Sequence, residues 1–289
     1  MARMKKTLVN RRHFIATTSA ALAGAALGPA MLQAAAARAR IKVGACVVNL
    51  EQAKQAGLEG VEVGVGGAAE RLSIAEPETR ARYKAQMQAT GLPICSLMMG
   101  LLNEYPLASD PRGPAWLEQS IDAAQELGAK VILVAFFFRG DLLDEQGRLK
   151  AKEMDVVVQR LKDAAPRAKK AGVVLAIETY LNARDNLRIL DAVNHEAVQM
   201  YYDVYNTGTT KQYDSPAEIR LLRDRIAQIH FKNGPKYLED EPAKFEALAQ
   251  AIHDIGYRGW IVLETSAPSK DPVADARKNG AYVRRLFGA

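Results

Sequence analysis

The fold is decided by four short runs: Val173-Val174-Leu175-Ala176-Ile177-Glu178, Val198-Gln199-Met200-Tyr201-Tyr202-Asp203, Ile226-Ala227-Gln228-Ile229-His230 and Trp260-Ile261-Val262-Leu263-Glu264. Each is strand-like, largely apolar, and stops on a carboxylate or an imidazole. The stopping residues are separated by 25, 27 and 34 positions, the length of one strand-and-helix unit each. Upstream lie four more strand-like runs, Ile41–Ala45, Gly60–Val65, Leu92–Leu97 and Lys130–Phe137. The stretches between runs carry a 3.6-residue apolar period: 50–57, 76–90, 115–127, 152–171, 184–193, 215–223, 242–255 and 272–286. Gly57, Gly91, Gly128, Gly172 and Gly256 punctuate their ends, and Ser215-Pro216 reads as an N-cap followed by a first-turn proline. Eight strands alternating with eight helices in about 250 residues predict a single (β/α)8 barrel over 40–289. An open doubly wound sheet is the alternative, but Gly64-Val65-Gly66-Gly67 lacks the glycine spacing of a dinucleotide loop.

In a barrel, consecutive strand ends are neighbours around one rim, and the C-terminal rim carries the chemistry. Glu178, Asp203, His230 and Glu264 are therefore expected to converge. Taken singly, an acid after a strand caps the next helix, and a strand-end histidine is ordinary hydrogen-bonded structure. Taken together, three carboxylates at one partly buried point repel one another, and a divalent cation relieves the cost. Oxygen donors with one nitrogen and no thiolate favour a hard or borderline ion such as Mn2+, Mg2+ or Co2+ over structural zinc.

The net charge of +6 has a local origin. Arg3, Lys5, Lys6, Arg11, Arg12 and Arg38 account for it within residues 1–39, which hold no acid, so 40–289 is neutral. Nucleic acid is thereby set aside as a partner. Asn10-Arg11-Arg12-His13-Phe14-Ile15-Ala16, the uncharged stretch to Ala37 and the closing Ala37-Arg38-Ala39 resemble a twin-arginine (Tat) export signal. That likeness implies the Tat machinery as a partner and a periplasmic or otherwise exported mature chain. A membrane anchor is the rival reading, weakened by Gly24, Gly28 and Pro29. Cys46 and Cys95, each in an apolar run, read as two buried thiols.

The segments Ile177-Glu178, Tyr202-Asp203-Val204-Tyr205-Asn206, Ile229-His230-Phe231-Lys232-Asn233 and Val262-Leu263-Glu264-Thr265, with Ala56–Val63 at the second strand, resemble the xylose-isomerase-like sugar phosphate isomerase/epimerase superfamily. The sugar isomerase and ketose 3-epimerase branch matches best. The resemblance implies one Mn2+-type ion, with Mg2+, Co2+ or Zn2+ as alternatives, held by Glu178, Asp203, His230 and Glu264. It also implies that Glu178 and Glu264 double as acid and base, moving a proton beside a carbonyl through an enediolate. The substrate is then a small carbohydrate. The trinuclear zinc site of the DNA-repair branch needs more histidines than the three beyond residue 39.

Two positions depart from the 3-epimerase pattern: Asn206 stands where that branch has histidine, and Arg184 where it has glutamate. Asn206 remains a candidate for a substrate hydroxyl. Lys232 is either an electrostatic stabiliser of an enolate or a salt-bridge partner, and Glu62 a support for a ligand, a substrate contact or a helix cap. Phe136, Phe137, Phe138 and Trp260 read as barrel packing. Gly234-Pro235-Lys236 and Ser266–Lys270 are poor phosphate nests, so a non-phosphorylated carbohydrate is expected. A keto-sugar or keto-glycoside lyase and a non-catalytic carbohydrate-binding protein are the alternative functions.

Overall fold

The structure, a computed structural model, describes residues 41–288. The export signal expected in residues 1–39 lies outside them. Eight parallel strands, β1 (Lys42–Ala45), β2 (Gly60–Gly64), β3 (Ile94–Met99), β4 (Val131–Phe136), β5 (Val174–Thr179), β6 (Val198–Asp203), β7 (Ile226–Phe231) and β8 (Trp260–Leu263), close into a barrel through pairing of β1 with β8. The outer layer is α1 (Leu50–Ala56), α2 (Pro77–Thr90), α3 (Gly113–Leu127), α4 (Ala151–Ala171), α5 (Ala183–Val193), α6 (Ser215–Leu222), α7 (Pro242–Asp254) and α8 (Pro272–Phe287). Among the described residues no helix is long and apolar enough to cross a membrane.

Local chemistry sets the boundaries. Strand β3 starts two residues later than its apolar run because Pro93 has no N–H for the ladder, and it runs on through Met98 and Met99. The N-cap of α6 is Asp214, whose carboxylate accepts from the Ala217 N–H at 3.1 Å; Ser215 is already helical. Helix α7 stops at Asp254, one residue before the cap position at Ile255, so Gly256 follows the cap instead of forming it.

The main core lies between strands and helices, where Leu97, Ile132, Val134, Leu175, Ile177 and Ile229 meet the apolar helix faces. Alternate residues point into the barrel: Val131, Leu133 and Ala135 of β4 pack there with Ala176 and Tyr201. Trp260, at the start of β8, closes the barrel floor. A Cβ on Gly60 would stand 2.8 Å from the indole and 2.9 Å from the Pro93 carbonyl, so glycine is what admits the ring. Two pairings slip in register, β2–β3 at Val61/Glu62 and β6–β7 at Met200/Tyr201. Such irregularities re-aim the side chains that follow them.

Candidate active site

Three of the four groups are the last or next-to-last residues of their strands. Asp203 and His230 are register partners on β6 and β7, and Glu178 pairs with Ala135 near the end of β5. Glu264 lies one residue past β8, its N–H donating to the Phe231 carbonyl at 3.0 Å. Their side chains meet: His230 Nδ1 is 3.2 Å from Glu178 Oε1, 3.4 Å from Glu264 Oε2 and 3.9 Å from Asp203 Oδ2. One donor atom from each of the four lies within 4.8 Å of the others. Asp203 is aimed by its own backbone. Its Oδ1 accepts the N–H groups of Tyr205 and Asn206, both at 2.7 Å, which turns Oδ2 to the cluster. Lys232 Nζ reaches that Oδ2 at 3.0 Å and Glu264 Oε2 at 2.7 Å.

A second layer of polar groups lies under the first. Glu62 Oε1 is 3.0 Å from His230 Nε2, and its Oε2 accepts the hydroxyls of Ser96 at 2.6 Å and Tyr201 at 2.9 Å. The Gln228 amide donates to both of those hydroxyl oxygens, at 2.7 and 3.0 Å. Both oxygens of Glu62 are engaged beneath the imidazole and the residue is buried, a position that matches the supporting role among the three expected for it.

Four carboxylates thus face one lysine and one histidine, and the protons respond. Burial favours neutral Glu178 and, with Asp203 and Glu264 adding repulsion against the attraction of His230, lifts its carboxyl to about 8. Burial likewise raises Asp203 despite Lys232. At Glu264 burial is outweighed by His230 and Lys232, which hold it below the ordinary carboxylate value. Burial disfavours charge on His230, but Glu62, Glu178 and Glu264 override it and raise its pKa well above the usual imidazole value. A proton on Nδ1 is thereby stabilised at the point where the carboxylates converge.

The donor set fits a single hard or borderline divalent cation: three carboxylates, one imidazole nitrogen and no sulfur. Asp203 Oδ2 is buried, with an ion-pair contact to Lys232 but no well-aligned hydrogen bond. A grouping of Cys46, Glu62 and His230 fits less well. Burial pushes the Cys46 thiol up to about 11, and both Glu62 oxygens already accept hydrogen bonds.

The structure draws Lys232 into the cluster and buries Asn206 beside it, at the start of a single wide turn, Asn206–Thr210. Arg184 stays exposed on α5. Phe136 and Phe137 are packed, as expected, with Phe137 edge-on to Tyr180 at 4.7 Å. Phe138 is a correction to the packing expectation: it is 70% exposed with φ +51° on the rim after β4. Cys46 is also only partly buried, whereas Cys95 is fully so. Sequence reasoning passed over Ser96, Tyr201 and Gln228. The available signal was parity, since Gln228 and Tyr201 sit two residues before His230 and Asp203 and share their inward face.

The chain is 28% identical over 196 residues to 2-epi-5-epi-valiolone 7-phosphate 2-epimerase of Actinoplanes sp., covering 66% of this chain and 68% of that one. It is 26% identical over 252 residues to a putative L-ribulose-5-phosphate 3-epimerase of Escherichia coli, covering 78% and 86%. The crystal structure of D-allulose 3-epimerase from Methylomonas sp. in complex with D-allulose superposes with a TM-score of 0.69 at 18% identity, over 86% of this chain and 98% of that one. Residues 50–286 match the family model, and the chain belongs to the xylose isomerase-like TIM barrel family.

Proposed function

We propose that this protein is a divalent-metal-dependent epimerase of a non-phosphorylated carbohydrate, acting by proton transfer next to a carbonyl through an enediolate. The observation that carries the reading is the convergence of Glu178 and Glu264 with Asp203 and His230 at one point of the rim. The two curated relatives, each named an epimerase, support the reaction class.

A bound divalent ion, with Mn2+ as the first choice, supplies Lewis-acid polarisation of the substrate carbonyl and offsets the carboxylate charge. Asp203 and His230 hold their donor atoms for it from fixed strand ends. Glu178 and Glu264 differ in setting, one deeply buried and the other about one-third exposed against Lys232. That contrast suits opposite protonation states. One takes the proton from the carbon beside the carbonyl, the other returns a proton to the opposite face, and the roles exchange with the direction of reaction. Lys232 keeps a fixed positive charge beside the cluster, where enolate charge develops.

The relatives' names specify phosphate esters, but the late loops of this barrel favour an uncharged sugar. At the N-terminus of α8, Asp271 already accepts the Val273 and Ala274 N–H groups, both at 3.0 Å. Asp275 takes the Ser269 N–H at 3.0 Å and the Tyr237 hydroxyl at 2.6 Å. Carboxylates fill the donors that a phosphate uses in such barrels. The leader read in residues 1–39 supports an exported enzyme.

Solvent-proton exchange tests the reading. A panel of keto-sugars and ketoses, free and phosphorylated, is incubated in D2O with Mn2+-loaded protein and followed by mass spectrometry. One deuterium on a free sugar, with mass otherwise unchanged, is expected. Loss of a fragment assigns the proton abstraction to a lyase, and exchange confined to phosphate esters overturns the substrate class. Binding without exchange anywhere in the panel leaves a carbohydrate-binding protein.

A further inference from the structure

We propose that Glu62 is a positioning residue that fixes the tautomer of His230, keeping Nε2 protonated and turning the Nδ1 lone pair into the cluster of Glu178, Asp203 and Glu264. The inference rests on the metal reading above and assigns a role to the layer beneath it.

The direction of the buried hydrogen bonds carries the argument. An amide NH2 only donates, so the Gln228 Nε2 contacts to Ser96 Oγ and Tyr201 OH make both hydroxyl oxygens acceptors there. Each hydroxyl hydrogen is then free to point at Glu62 Oε2, 2.6 and 2.9 Å away. Two such donors on one oxygen favour the carboxylate form of Glu62, which only accepts. The remaining oxygen, Oε1, stands 3.0 Å from His230 Nε2, and that nitrogen must carry a hydrogen. Whenever the imidazole gives up its Nδ1 proton, as a ligating ring must, the hydrogen it keeps is on Nε2, and the Nδ1 lone pair is aimed at the point where Glu178, Asp203 and Glu264 converge.

Two independent features of the fold serve this arrangement. The register slips of β2 and β6 fall at Val61/Glu62 and Met200/Tyr201, at the two residues the network needs re-aimed. The Tyr201 ring also packs against the imidazole, centroids 4.4 Å apart, so the side chain that holds Glu62 braces the plane of His230 too. Glu62 is 2% exposed, and the network draws on β2, β3, β6 and β7, so neither partner has solvent as an alternative. A carboxylate behind a ligating histidine orients the ring and raises its basicity, and removing it costs 10–100-fold in metal affinity on the order found for such pairs.

Two measurements test this. Long-range 1H–15N correlation of histidine-labelled, Zn2+-loaded wild-type chain is expected to show His230 with hydrogen on Nε2 and metal on Nδ1; hydrogen on Nδ1 overturns the proposal, whatever the variants do. Titration with Mn2+ is expected to show Glu62→Ala about 10–100-fold weaker than wild type with the same circular dichroism. Glu62→Gln, which still offers an oxygen to Nε2–H, is expected to recover most of that loss. Cys46→Ser is expected to match wild type; a loss equal to that of Glu62→Ala would give the role to the thiol and refute the assignment. If folded Glu62→Ala binds Mn2+ like wild type, this inference fails while the metal reading stands. If wild type itself takes up neither Mn2+ nor Zn2+, the metal reading fails and this one with it.

Discussion

The two halves of the barrel are built alike and used differently. Strands β1 to β4 end in Ala45, Gly64, Met99 and Phe136, whereas β5 to β8 deliver Glu178, Asp203, His230 and Glu264. The first half contributes instead from below, through Glu62 and Ser96, and closes the floor where Gly44 and Gly60 make room for Trp260. On the function proposed above, one half presents the reactive groups while the other sets their orientation and the depth of the cup. Substitutions in the second half are therefore expected to be read in turnover, and those in the first half in stability or geometry.

The largest effect is expected from Glu178→Gln and Glu264→Gln. Each keeps its shape but cannot move a proton, and kcat for the exchanging sugar falls by roughly 10²–10⁴-fold in a coupled or polarimetric assay. Retention of wild-type kcat in either variant would break the assignment of chemistry to this half. Lys232→Met comes next. Loss of a fixed cation at the developing charge lowers kcat by about 10²-fold. The same change removes a positive charge 3.0 Å from Asp203 and 2.7 Å from Glu264, so Mn2+ binding should tighten. A salt-bridge role alone would give the tighter binding without the loss of kcat.

In the other half, Gly60→Ala forces a Cβ against the indole and the Pro93 carbonyl. Overpacking of this kind costs about 1–3 kcal/mol, measured by urea unfolding, with kcat per folded molecule unchanged. The smallest effect is expected from Phe138→Ala. An exposed side chain on the rim buries little, and stability should stay within about 0.5 kcal/mol of wild type. A larger loss would mean that the ring is covered in the native protein.

The sequence made the upper layer legible because each ligand type ends an apolar run, and chain spacing converts into position once a barrel is assumed. The lower layer was harder to see. Ser96, Tyr201 and Gln228 are common, uncharged residues inside strands, and nothing in their type distinguishes a satisfied core hydroxyl from part of a relay. Their meaning comes from distances across the barrel, Tyr201 to Glu62 above all, and from two register slips that no apolar pattern encodes. Phe138 was misread for a similar reason. Three consecutive phenylalanines look alike in sequence, but the chain leaves β4 at Phe136, and a positive φ at the third turns it to solvent.

The claim on which the rest depends is that Glu178, Asp203, His230 and Glu264 hold one divalent ion. Calorimetric titration of metal-free protein with Mn2+, in buffers of different ionisation enthalpy, tests it most directly. The metal must displace a proton, since the surrounding carboxylates raise the pKa of His230 and that of Glu178 stands at about 8. One ion per chain with net proton release at pH 7 is expected, the affinity weakening as pH falls from 8 to 6 and binding abolished in His230→Ala. No saturable binding, or binding unchanged in that variant, would contradict it.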